Sequence, residues 1–70
     1  MNYLVIFERS VTGWGAYVPD LPGCVATGAT RAEVERLIQE GIAFHIEGMI
    51  ADGDTIPEPT TRVARMPVYA

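Results

Sequence analysis

Seventy residues with one cysteine and one histidine fit a single domain over 1–70, and they exclude both a disulfide framework and a zinc site of Cys/His spacing. A hydrophobic fraction of 49% excludes disorder, and no run approaches the roughly 20 apolar residues of a membrane span. The net charge of −4, with no lysine and five dispersed arginines, is wrong for wrapping nucleic acid and right for meeting a basic protein.

Residues 3–8, YLVIFE, are β-branched and aromatic and predict a strand buried on both faces at its centre. RSVTGWG follows as a turn. WGAYV at 14–18 predicts a second strand, antiparallel to the first. The run PDLPG then interrupts. Pro19 and Pro22 fix their own φ and extend the residues before them, Gly23 can take a positive φ, and Asp20 can fold its carboxylate onto nearby N–H groups. A third short strand is expected at 24–28, CVATG.

Thr30-Arg31-Ala32-Glu33 matches a capping box. Apolar residues then recur at Val34, Leu37, Ile38, Ile42, Ile46, Met49 and Ile50, a helical period that predicts a helix over 31–51, ended at Asp52-Gly53. Gly41 and Gly48 lie seven apart within it. They are either tolerated or mark close approach to the sheet or to a second helix. A proline-containing connection at 53–61 leads to RVARMPVY, 62–69, expected as a last strand with Val63, Met66 and Val68 inward. Pro67 restricts it to a sheet edge. The expected fold is α+β, a three-stranded antiparallel meander, one long helix and a final edge strand.

No catalytic, cofactor or metal site is expected. Glu33, Glu40 and Glu47 form a solvated helical stripe, and Asp52 and Asp54 flank a helix end. His45 lies on the apolar side of the helix, Ser10 lacks a nucleophile-elbow context, and Cys24 reads as a small hydrophobe. The Gly28–Arg31 stretch could hold an anion at the helix N-terminus, but the cap explains the same residues. Trp14 and Tyr17 lack the basic neighbours that base stacking needs. A domain of this size buries only about 60% of its unfolded surface, so oligomerisation or docking to a partner is the expected support. No leader is expected before the first strand, and the cytoplasm is the expected compartment.

The order of signals resembles the HicB family, the antitoxin half of HicA–HicB toxin–antitoxin pairs. The resemblance rests on Tyr3–Phe7, on Trp14–Val18 leading into Pro19-Asp20-Leu21-Pro22-Gly23-Cys24, on Thr27-Gly28-Ala29-Thr30 and Glu33, and on Ile56-Pro57-Glu58-Pro59. It implies a β-β-β-α-β domain similar to a reduced ribonuclease H fold, and dimers or tetramers. It implies as partner a HicA-like toxin, a basic ribonuclease that cleaves messenger RNA and whose active histidine the antitoxin covers. Many family members continue into a DNA-binding domain. None is visible before Ala70, so direct DNA binding by this chain is not expected. The candidate partner interface is Trp14, Tyr17, Pro19, Asp20, Leu21, Pro22 and Gly23. Two alternatives remain at this level: a vestigial or cryptic metal-dependent nuclease, and an oligomeric scaffold or small-ligand-binding domain without a toxin.

Overall fold

The computed structural model describes residues 1–69. Three strands, β1 (Ile6–Arg9), β2 (Trp14–Tyr17) and β3 (Val25–Gly28), form an antiparallel meander, and α1 (Arg31–Ala51) follows. The register places Phe7, Ala16 and Ala26 in one row and Ile6, Tyr17 and Val25 in the next. Side chains alternate across a strand, so the first row looks into the core and the second away from it. The helix packs on the core side, over β2 and β3.

The helix has the predicted bounds. Its start is set by Thr30, whose Oγ1 accepts from the Glu33 N–H at 3.1 Å. Its end is a Schellman turn: Gly53, at φ +74°, donates to the Ile50 carbonyl, and Asp54 donates to that of Met49. At 1.5 Å per residue, the helix is about 31 Å long, far longer than the strands beneath it. Its second half therefore overhangs the sheet, and Phe44 and Ile50 are exposed. The two internal glycines do not mark close approach to the sheet. A Cβ on Gly41 would meet only the Cys24 Sγ, at an ordinary 3.8 Å, and one on Gly48 would meet nothing.

Among the described residues six side chains are buried: Ala16, Val18, Leu21, Cys24, Val34 and Ile38. Three of the six, Val18, Leu21 and Cys24, come from the connection between β2 and β3 rather than from any strand. That connection is thus part of the core. Tyr3, Val5, Phe7, Trp14, Ile42 and Met49 pack around it, half-buried.

Two expectations need correction. The first strand begins at Ile6 rather than Tyr3, and none of its residues is fully buried. The register would carry Leu4 opposite Pro19, which lacks an N–H and turns away. Among the described residues no second layer covers the outer face of β1. The strand expected over 62–69 is also not formed: these residues join no ladder, and Val63, Met66, Val68 and Tyr69 are exposed. Their alternation is that of a strand, but among the described residues they pair with no sheet edge.

Candidate partner interface

The segment between β2 and β3 is two tight turns in series. The Leu21 N–H donates to the Val18 carbonyl at 3.0 Å, with Pro19 and Asp20 as the corners. The Cys24 N–H then donates to the Leu21 carbonyl at 3.0 Å, with Pro22 and Gly23 as the corners. Gly23 has φ +87°, so the second turn has the proline-then-glycine form of a type II turn. The Val18 N–H closes the base by donating to the Cys24 carbonyl at 3.1 Å. This double turn explains both prolines and the glycine. It drives Leu21 down into the core and lifts Pro22 and Gly23 to the surface.

The seven candidate residues therefore separate. Leu21 is fully buried and Trp14 half-buried against the core. Pro19 is partly covered. Pro22, Gly23 and Tyr17, the last 41% accessible, face outward.

Asp20 is engaged within the chain. Its Oδ1 accepts from the hydroxyls of Thr61 (2.8 Å) and Thr60 (3.2 Å), and its Oδ2 accepts from the N–H groups of Thr61 (3.1 Å) and Thr60 (3.2 Å). The Tyr3 hydroxyl donates to the Pro57 carbonyl nearby. These bonds fasten the chain after the helix to the loop, through Asp20, and to the segment before β1, through Tyr3. Sequence reasoning found Asp20's readiness to bind backbone N–H groups but not its partners, which are 40 and 41 residues away.

The four bonds, led by that from the Thr61 hydroxyl, hold the Asp20 carboxyl below its usual value. A carboxyl depressed by folding stabilises the fold above its unfolded pKa of about 3.9, and that contribution is lost as pH falls through the lower folded value. The expected result is that the Thr60 and Thr61 amide resonances shift together on acidification below about pH 4. In Asp20→Asn they should be displaced at neutral pH and lose that titration. Native-protein resonances that titrate at the ordinary carboxylate value of about 3.9 would contradict the clasp.

Tyr17 is flanked on the outer face by Ile6 and Val25, the latter 67% accessible, and beside them lie Glu8, Gly15 and Thr27. Because Gly15 adds no side chain, this face is flat at its centre. A shallow depression of about 650 Å³ opens at its hairpin end, lined by Glu8, Arg9, Thr12, Trp14, Gly15 and Thr27. Val25 was absent from the sequence-based candidates, although β alternation from Tyr17 and Ala26 would have pointed to it.

Charge is unevenly distributed. All nine carboxylates lie at or before Glu58, against only Arg9, Arg31 and Arg36 in residues 1–61, a balance of −6 there and +2 beyond from Arg62 and Arg65. Arg31 pairs with Glu35 at 3.3 Å and lies 4.2 Å from the centre of the Phe7 ring, and Arg36 pairs with Glu40 at 3.4 Å. Such exposed pairs add only about 0.3–0.5 kcal/mol each, but they mask two of the body's three positive charges. Among the described residues no three His, Cys, Asp or Glu side chains converge on a point where a metal could bind. Burial pushes the Cys24 thiol up, away from the thiolate a nucleophile needs. No helix among the described residues is long and apolar enough to cross a membrane.

Comparison with known proteins gives a consistent result. The family of HicB-like antitoxins of bacterial toxin–antitoxin systems matches residues 3–68. A 14.9 kDa protein encoded between rep and hol in Haemophilus phage HP1 is 37% identical over 99% of the chain and 53% of its own length. Antitoxin HicB 2 of Photorhabdus laumondii is 34% identical over 89% of the chain and 45% of its own length. The chain thus spans about half the length of these two relatives. A chain in the solved HicA3–HicB3 toxin–antitoxin complex superposes with a TM-score of 0.71 at 32% identity, over 86% of this chain and 70% of that one.

Proposed function

The chain belongs to the HicB-like antitoxins of bacterial toxin–antitoxin systems, and on that premise we propose that it binds and neutralises a small HicA-type toxin that cleaves messenger RNA. The observation that carries this reading is the likeness, in both fold and sequence, to a chain from a HicA3–HicB3 complex. The charge distribution supports it. An RNA-cleaving protein must attract phosphate, so its working surface is basic. A body with a balance of −6 over residues 1–61 competes for that surface and accelerates encounter. Neutralisation on this reading is occlusion: the antitoxin covers the groups that would touch RNA and performs no chemistry of its own. The encounter takes place in the cytoplasm, where messenger RNA is found.

The contact surface we assign is the outer sheet face with the tip of the double turn: Tyr17, Val25 and Ile6 as the apolar centre, Pro22 and Gly23 at the end, Glu8 at the rim. Of the other four candidates from the sequence, Pro19 borders this surface, Leu21 and Trp14 support it from the core side, and Asp20 holds its loop in place. An apolar centre with a charged rim is the usual anatomy of a specific protein contact.

The test is copurification with whatever protein the adjacent gene encodes, followed by calorimetry on the pair. Val25→Arg places a bulky positive charge on an exposed position of β3 and should weaken binding at least about tenfold, or 1.4 kcal/mol, with the helical circular dichroism signal intact. Unchanged affinity would remove this face from the interface. The nuclease alternative needs converging carboxylates, and the described residues offer no such cluster. Incubation with RNA and with RNA–DNA hybrid, in magnesium or manganese, is expected to leave both intact.

A further inference from the structure

Gly15 is the middle residue of a cross-strand row, with Glu8 of β1 on one side and Thr27 of β3 on the other. Nothing within the chain requires a glycine there. Its φ is negative, as in any strand residue. A Cβ on it would meet only the Ala26 carbonyl oxygen at 3.8 Å and the Thr27 Cγ2 at 3.9 Å, both ordinary contacts. A glycine inside a strand weakens it, because it loses the most backbone freedom on folding and brings nothing to pack. What the bare position provides is space on the outer face.

The surroundings of that space are specific. Neighbouring strands lie about 4.8 Å apart, so Glu8 and Thr27 stand about 10 Å from each other across a floor of bare backbone. The floor belongs to the depression of about 650 Å³ at the hairpin end. Its two walls are a carboxylate and a hydroxyl, and Glu8 makes no ion pair among the described residues. Arg9 also borders the depression, but it belongs with Trp14 and Gly28 to the next row, whose side chains alternate toward the core side. Two residues along β2 on the outer face stands Tyr17, about 7 Å from Gly15.

We propose that this space is a receptor for one arginine side chain presented by a protein partner. The identity of the partner rests on the toxin reading above, whereas the chemistry of the receptor does not. The methylene stem of the incoming arginine lies along the Tyr17 ring, and its planar guanidinium covers the Gly15 backbone. Its fork of N–H groups donates to the Glu8 carboxylate, and a remaining N–H donates to the Thr27 hydroxyl. An anion is opposed both by Glu8 and by the balance of −6 over residues 1–61. A lysine brings a compact point charge that leaves most of the flat floor uncovered. A side chain at residue 15 would fill the seat, which accounts for the glycine. Arginine is the side chain best suited to grip phosphate through paired N–H groups. An arginine of the toxin seated against Glu8 is therefore withdrawn from RNA, which gives occlusion a chemical content.

Two probes read the receptor with no partner present: Nα-acetyl-arginine amide, and its citrulline analogue, which keeps the shape and lacks the charge. Titrated into the isotope-labelled chain, the arginine probe should shift the Glu8 and Thr27 amide resonances along a saturating curve in the millimolar range, and the citrulline probe should not. Gly15→Ala and Gly15→Val find room for their Cβ within the chain. Both should keep the native circular dichroism spectrum, with the shifts reduced in the first and abolished in the second. Against the protein of the adjacent gene, Gly15→Val and Glu8→Gln should each weaken binding at least about tenfold, while Glu47→Gln, the same loss of charge on the helix, should change it less than about twofold. Absent shifts, equal shifts with the two probes, shifts that persist in Gly15→Val, or a loss of affinity in Glu8→Gln no greater than in Glu47→Gln would each overturn the receptor. A partner that binds the native chain and Gly15→Val alike would overturn it too and leave the toxin reading standing. An adjacent-gene product that ignores the native chain would instead remove the toxin reading, and the probe titration would still decide the receptor.

Discussion

Leu21→Ala is expected to unfold much of the population at 25 °C when no partner is present. Leu21 has no accessible surface and packs among Val18, Cys24, Val34 and Ile38. Leucine-to-alanine changes at such sites cost about 2–5 kcal/mol, through lost burial and the cavity left behind. A single core in a domain of this size rarely supplies more than about 3–5 kcal/mol in total, so the loss is comparable to the whole. Relaxation cannot refill the space cheaply, because the double turn fixes the backbone on both sides of residue 21. Urea titration followed by circular dichroism at 222 nm checks this. A midpoint within error of the native protein would mean that the loop is an ornament on the core rather than part of it.

Gly13→Ala has the next largest expected effect on stability, although it adds only a methyl group in an ordinary-looking turn. A Cβ at residue 13 would run into the Gly28 carbonyl oxygen, with the Ala29 Cα 3.2 Å away. Both are backbone, so no rotamer change makes room. Either the first hairpin shifts against β3, or the junction of β3 with the helix opens. Forced overpacking of this kind costs about 1–3 kcal/mol. Gly48→Ala is the matched control, since its Cβ meets nothing and the helix should gain about 1 kcal/mol. The two variants should move the urea midpoint in opposite directions. Equal midpoints would refute the close approach at residue 13.

How much of this was legible in the sequence depends on the range of the interaction responsible. The helix was readable to its bounds because Thr30, the apolar period and Gly53 are local signals that agree. The meander was readable because strand patterning and turn residues alternate over short distances, and the double turn was readable as a shape from Pro19, Pro22 and Gly23. The burial of Leu21 was less accessible, since it depends on where the turn aims a side chain relative to a helix 10 residues further on. The fate of 62–69 was not accessible, because alternation states that a segment suits a sheet and says nothing about which edge receives it. The candidate interface was half legible for the same reason. The motif drew attention to a contiguous run, whereas the surface it helps build is made by register and recruits Val25 and Ile6 from neighbouring strands.

The clasp of Asp20 on Thr60 and Thr61 has a consequence for the order of folding. Meander and helix contacts join neighbours along the chain, and such contacts form early because little chain must be closed to make them. The clasp and the Tyr3–Pro57 bond instead span 40 to 54 residues. They can form only after sheet and helix have brought the two ends together. The segment from Ile56 to Thr61 is therefore the last part to dock and the first to open. In native-state hydrogen exchange its amides should exchange through a local opening well below the free energy of global unfolding. Whatever engages the chain beyond Thr61 would then be held or released on the timescale of that small opening, without waiting for the core.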